Sequence, residues 1–403
     1  MYSWMETPAK QEPVKVLVLT GSIGHGHIQT ANAIRDTAAR RFGRQVEVQI
    51  VDYLEQVAPH LHGVGSYCFI QFLKMLPSMY GMAFEMTRKD RMLAQMIKRV
   101  RFTSLKPLSK LIQESKPDVI VSTFPAASAA VSKLKEKGVV SVPSITVITD
   151  HTDHSFWLYP YTDLYMVGSD SARRMLIAQG IDPKSIEVTG IPVRPQFYED
   201  YNKLALREQH SLSPSKMTVL LMGGGCGLMD PSMLDKLEQS APELTEHIQF
   251  IIVCGSNEKL RQQLEAWSAT TSLSVHVKGY VQEIHELMAL SDVMITKSGG
   301  VTTAEAMALH LPLIVYKPLP GQEQDNIRYL VNNGLAQCAH NAAHLTYVLS
   351  ELVDHPAQLH KMSVRAAEEH SKMKGDALSL MMELRKQPVH TPVLVKKWLR
   401  RTV

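Results

Sequence analysis

The chain has 403 residues, 45% apolar and 20% charged, with 43 Lys and Arg against 39 Asp and Glu, a net +4. At about 150 residues per domain this length makes two large domains or three small ones, long enough to bury cores without disulfide or metal staples. No apolar run approaches the roughly 18 residues of a membrane span, residues 1–13 lack the apolar centre of a secretory signal, and the near-neutral balance gives no argument for nucleic acid.

Short β-branched runs alternate with helix-length segments along the whole chain. They fall at 14–20, 46–52, 118–124, 144–150, 164–168 and 186–189, then at 217–222, 249–254, 274–278, 293–296 and 313–316. Apolar runs this short, separated by helices, mark parallel strands buried on both faces. The pattern restarts after a polar stretch at 198–216. The expected class is α/β, with two doubly wound, Rossmann-like domains, 1–200 and 201–375, facing a cleft, and a basic C-terminal segment, 376–403. Ligands in such sheets bind beyond the C-terminal strand ends. Cys68, Cys226, Cys254 and Cys338 stand singly, the pattern of reduced thiols in a cytoplasmic protein.

Residues 61–110 break the alternation. They are rich in large apolar side chains, from Phe69, Ile70, Phe72 and Leu73 to Met86, and Leu93, Met96, Ile97 and Val100 share one helical face. Lys74, Arg88, Lys89, Arg91, Lys98, Arg99, Arg101, Lys106 and Lys110 lie among them. Two readings fit: a helix packed on the sheet with a solvated basic face, or an element lying on an anionic membrane surface.

The first strand enters Gly21-Ser22-Ile23-Gly24-His25-Gly26-His27, a glycine turn opening a helix, the context for anion binding by backbone N–H groups. A helix N-terminus disfavours imidazolium, so His27 is expected to be a neutral general base; a histidine that merely caps the helix is the alternative. Strand 144–150 runs into Asp150-His151-Thr152-Asp153-His154 and Trp157, a titratable cluster suited to an acceptor. His25, His27, Asp150 and His154 also allow a zinc-hydrolase reading, although their spacing is generic. Arg194, between Pro192 and Pro195, sits on a stiff loop suited to a phosphate. In the second half, the strand before Gly223-Gly224-Gly225 allows close backbone approach. Ile295-Thr296-Lys297-Ser298-Gly299-Gly300-Val301-Thr302-Thr303-Ala304-Glu305 places a helix start after a strand, suited to a diphosphate, with Glu305 placed to accept from a ribose. Gln322, Glu323, Gln324, Asp325 and Asn326 follow a glycine turn as a hydroxyl-reading surface.

These motifs, in this order, resemble the inverting glycosyltransferases that glycosylate diacylglycerol: monogalactosyldiacylglycerol synthases and processive diacylglycerol glucosyltransferases. More distantly they resemble the enzyme that adds N-acetylglucosamine to the lipid-linked peptidoglycan precursor. The resemblance spans about residues 14–375. It rests on Gly24-His25-Gly26-His27, on Thr149-Asp150 with His154 and Trp157, on 189–197, on 296–305 and on 320–326.

It implies the GT-B fold and a UDP-sugar in the C-terminal domain as co-substrate, without a further cofactor or metal. By the same resemblance His27 is the catalytic histidine, and Asp150 and His154 face the acceptor. Gly300 to Glu305 hold diphosphate and ribose, Gln322, Glu323, Gln324 and Asn326 meet the sugar and phosphates, and Arg194 reaches the diphosphate across the cleft. The turn at Val281 meets uracil. The implied partners are a UDP-sugar (UDP-glucose or UDP-galactose), diacylglycerol and, through 61–110, the inner face of the cell membrane. A UDP-sugar epimerase, a transferase with a soluble acceptor and a non-catalytic sugar-nucleotide sensor remain open.

Overall fold

The computed structural model describes residues 12–57, 75–89, 92–100, 105–223, 232–373 and 375–386. Two six-stranded parallel sheets organise them. The first is built from β1 (Val14–Thr20), β2 (Val46–Asp52), β3 (Val119–Ser122), β4 (Ser144–Val147), β5 (Leu164–Val167) and β6 (Ile186–Val188), in the order β2-β1-β3-β4-β5-β6. The second contains β7 (Met217–Met222), β8 (Ile248–Val253), β9 (Ser274–Lys278), β10 (Val293–Thr296), β11 (Leu313–Tyr316) and β12 (Ala336–Ala339), in the order β12-β11-β10-β7-β8-β9. The strand order reverses beside β1 in the first sheet and beside β7 in the second, so the crevices open beyond β1 and β3, and beyond β7 and β10. Those strand ends carry the motif-bearing loops.

β12, Ala-Gln-Cys-Ala, is a strand the sequence pattern does not announce, since it has no β-branched residue. Its pairing with β11 puts it there. β4 stops at Val147 and not at Asp150; the Ile148 N–H still bonds the Met166 carbonyl of β5 (2.9 Å), and residues 149–150 then leave toward the second domain.

Of the separate basic segment expected at 376–403, residues 376–386 are described, and they pack on the first domain. After the helix Ala357–Ser371, the Gly375 N–H donates to the Val188 carbonyl (3.0 Å), and the helix Ala377–Leu384 buries Leu378 and Met381 in the core beside Val14, Val16 and Ile34. Leu378 and Met381 thus join the first domain's core, each burial worth about 1.5–3 kcal/mol. Arg41 pairs with Asp376 at 2.6 Å and fixes the return.

Candidate active site

Two helix N-termini meet at the centre of the cleft. His25–Phe42 follows β1 and Gly300–Ala308 follows β10; both start at a glycine N-cap, which has no side chain to cap them, and neither has an acidic residue in its first turn. They approach so closely that a Cβ on Gly26 would lie 3.3 Å from Val301 Cγ2. A Cβ on Gly300 would lie 2.0 Å from the Thr149 carbonyl oxygen, so only glycine lets the loop after β4 cross here. Two positive dipole ends therefore converge on one place, the arrangement that favours an anion, and the Gly300 N–H there is taken by the Asp150 carboxylate.

Asp150 lies beside that point. The Asn326 amide donates to its Oδ1 at 2.7 Å, and burial pushes the carboxyl up to about 7, with Glu323 and Asp325 adding to the rise and the Asn326 and Gly300 N–H groups opposing it. His27 sits half-buried against Phe124 (ring centroids 5.3 Å apart) and Trp157 (5.9 Å), with Nδ1 3.2 Å from Thr149 Oγ1. Burial lowers its pKa to about 4, so the imidazole is neutral at pH 7, as expected; the cause is desolvation more than a helix dipole.

His154 has a different place from the one read in the sequence. It is buried, its Nδ1 accepts from the Phe156 N–H (3.2 Å), and its Nε2 meets the Phe84 carbonyl (3.0 Å) and Thr87 Oγ1 (3.2 Å). With both nitrogens engaged it clamps the helix Pro77–Thr87 to the acceptor loop, and it has no lone pair left for a metal or an acceptor. Among the described residues, no three His, Cys, Asp or Glu side chains converge to hold a metal ion.

On the second domain, Ser298 Oγ donates to the Glu323 carbonyl (2.8 Å), and Thr303 Oγ1 donates to the Gly299 (3.1 Å) and Gly300 (2.9 Å) carbonyls. Both hydroxyls brace the loop from within. Lys297, Gly299, Thr302 and Ala304 are half-buried at its edge, and Val281 packs against the same core. Arg194 comes across from the first domain, stacked on Phe197 (5.7 Å), with its Nε buried and unpartnered among the described residues. It faces Glu305, whose carboxyl burial pushes up to about 7 while Arg194 draws it down. An orphaned guanidinium N–H beside an uncapped helix start is a fitting contact for a phosphate or ribose oxygen. Gly224 lies outside the described residues.

The hydroxyl-reading surface is narrower than expected. Residues 322–332 are helical, so about 100° of rotation per residue carries Gln324 to the far side from Gln322. Gln324 is exposed and bonds the Pro318 and Leu319 carbonyls. Asn326 is fully buried: its Oδ1 accepts from the His151 N–H (2.7 Å) and its amide donates to Asp150 and to the Ser298 carbonyl (2.8 Å). It ties the domains together, with both amide hydrogens committed and a single carbonyl lone pair left over. Gln322 and Glu323 remain; one Glu323 oxygen accepts from the Leu319 N–H (2.8 Å).

The family model for monogalactosyldiacylglycerol (MGDG) synthase matches residues 27–193, and that for the glycosyltransferase family 28 C-terminal domain matches 218–379. The processive diacylglycerol beta-glucosyltransferase of Bacillus thuringiensis is 32% identical over 80% of this chain and 81% of its own length. The chain belongs to the diacylglycerol glycosyltransferase family. Its Bacillus subtilis relative of the same name is 29% identical over 88% of this chain and 91% of its own. The Acinetobacter baumannii MurG structure has a TM-score of 0.58 at 13% identity, covering 93% of this chain and all (100%) of that one, and Phytolacca americana UGT2 has 0.59 at 12% with the same coverage. The fold is GT-B.

For this glycosyltransferase, sequence reasoning missed the residues that join the two halves. Arg88 pairs with Asp153 and Asp325 (2.8 Å each), and Thr152 donates to Asp325 at 2.7 Å. His151 stacks on Tyr329 across the domains at 3.6 Å. Tyr80 donates to Gln322 Oε1. Only the even mixture of charge and aromatics around 80–88 hinted at these contacts, because their partners lie over 60 residues away.

Proposed function

We propose that this enzyme transfers glucose from UDP-glucose to the hydroxyl of diacylglycerol, with inversion, at a membrane surface. The observation that carries the reading is the convergence of two helix N-termini at Gly26 and Val301, whose dipoles favour the diphosphate. Glucose is favoured over galactose because the relatives that cover most of the chain are named glucosyltransferases.

The acceptor hydroxyl attacks the anomeric carbon; the new C–O bond forms as the bond to the diphosphate oxygen breaks, and UDP leaves with the electron pair. The helix N-termini and Arg194 take up the charge on UDP, as preorganised dipoles do best in a closed site, and no metal enters the proposal. The proton goes to Asp150. A carboxylate held at about 7 is a far better base near neutrality than an imidazole held at about 4. His27 then acts as a neutral hydrogen-bonding wall of the acceptor site.

The lipid arrives through the helices Pro77–Thr87 and Met92–Val100. Met75, Leu76, Met79, Met82, Met86, Met92, Leu93 and Met96 are exposed, whereas Lys98 turns inward over the Tyr159 ring (5.0 Å) and Arg88 is taken up in ion pairs. The apolar face thus points outward, the reverse of a helix packed on its sheet, and supports an interfacial element. Lys89, Lys106 and Lys110 are exposed for anionic headgroups on the cytoplasmic face, where UDP-sugars are found. No described helix is long and apolar enough to cross a membrane.

The test is the product. UDP-glucose and diacylglycerol in mixed micelles should yield a β-glucosyl lipid, read by the anomeric proton coupling. An α-glucoside, an epimerised nucleotide sugar or no lipid product overturns the reading.

A further inference from the structure

We propose that Tyr80, on the acceptor-side helix, is a positioning residue for the donor sugar: its hydroxyl holds the Gln322 amide, so the donor site is complete only when that helix is seated. This rests on the reading above that a UDP-sugar occupies the second domain.

Tyr80 donates to Gln322 Oε1 across the cleft. The seat around it is tight from both sides. A Cβ on Gly81 would lie 2.4 Å from Pro320 Cβ, and one on Gly321, whose φ is +94°, would lie 2.6 Å from Tyr80 Cε1. Two glycines, one on each domain, let the helix and the donor loop touch backbone to side chain. The phenol also lies in the fields of Asp150 and Glu323, which add to burial in keeping its proton on, so Tyr80 stands between the catalytic carboxylate and the sugar loop as a donor.

The consequence is chemical. With one Oε1 lone pair taken by the phenol, rotation about the Gln322 Cγ–Cδ bond is fixed, which leaves its NH2 as a donor to an accepting oxygen of the sugar. Without the phenol either end of the amide can meet the sugar, and the preference is lost. The same helix is joined to the acceptor loop through Phe84 on His154 (ring centroids 4.2 Å apart), so seating the acceptor helix and orienting the donor amide are one event.

The test is Tyr80→Phe, which keeps the ring on Gly321 and removes only the hydroxyl. One hydrogen bond of this kind predicts that kcat/KM for UDP-glucose falls about tenfold. Inhibition by UDP, which has no sugar, should stay within about twofold, and vesicle co-sedimentation should not change. In a double-mutant cycle, Tyr80→Phe on a Gln322→Ala background should cost less than about twofold. Unchanged kcat/KM, an equal loss of UDP affinity, or two multiplicative effects would each overturn the proposal. Calorimetry of UDP-glucose against UDP on the same variants keeps the two claims apart. If the wild type makes no glycolipid, the functional reading fails, and a selective loss of UDP-glucose affinity in Tyr80→Phe still supports the Tyr80 role while its absence still refutes it.

Discussion

The donor edge of the second domain and the helices Pro77–Thr87 and Met92–Val100 treat polarity in opposite ways. At the donor edge polar groups are buried and satisfied across the domain boundary: Asn326 has every hydrogen-bonding group engaged, and Asp325 receives Arg88 and Thr152. On the helical segment apolar groups are exposed, and Arg88 and Lys98 are drawn inward. Buried unpaired polar groups and large exposed apolar patches are both costly. The first region avoids its cost within the protein. The second does so only against an apolar partner, which in the proposed reading is the membrane surface.

The comparison breaks most completely at Asp150. Asp150→Asn should lower kcat by about a thousandfold while UDP still binds, measured by UDP release and calorimetry. The sign of its stability effect is opposite. Because burial raises the folded carboxyl from 3.8 to about 7, the folded state binds more protons between those values and wild-type stability falls as pH rises through them. Above pH 7 the Asn variant should therefore melt higher than the wild type, and an equal or lower Tm would contradict the burial argument.

Asn326→Ala comes next. It strips partners from His151 N–H, Asp150 and the Ser298 carbonyl, and urea unfolding should report a loss of about 3 kcal/mol, with activity falling alongside. A loss below about 0.5 kcal/mol would mean that the domain clamp contributes little. The smallest effect is on the helical segment. Charging its outer face with the double variant Met82→Glu and Met96→Glu should weaken vesicle binding at least tenfold and leave UDP binding and Tm nearly unchanged. Equal vesicle binding would show that this face meets water in the working enzyme.

Much of this architecture is legible from the sequence. β1, β2, β7, β9, β10 and β11 fall where β-branched runs stand, and the two helix starts after β1 and β10 are announced by their glycines. β12 is missed because Ala-Gln-Cys-Ala carries no strand signal and is placed only by β11. His27 is singled out by its motif, but its neutrality comes from burial and not from the helix N-terminus that the sequence suggests. Asn326 and His154 are found but misassigned, since a sequence shows a residue's hydrogen-bonding capacity and not whether a neighbour has used it. Arg88 and Asp325 are noticed but read as a surface cation and a hydroxyl reader, and the Tyr80 hydroxyl is not singled out. Their meaning lies in contacts between chain segments some 240 residues apart, which no local pattern carries.

The most direct test of the account is kcat for diacylglycerol-dependent UDP release from UDP-glucose, followed between about pH 4 and 9. The expected profile has turnover that requires the lipid, with an acid limb near pH 7 that disappears with the activity in Asp150→Asn. Lipid-independent UDP release, or a limb near pH 4 that persists in Asp150→Asn and vanishes in His27→Ala, would contradict it.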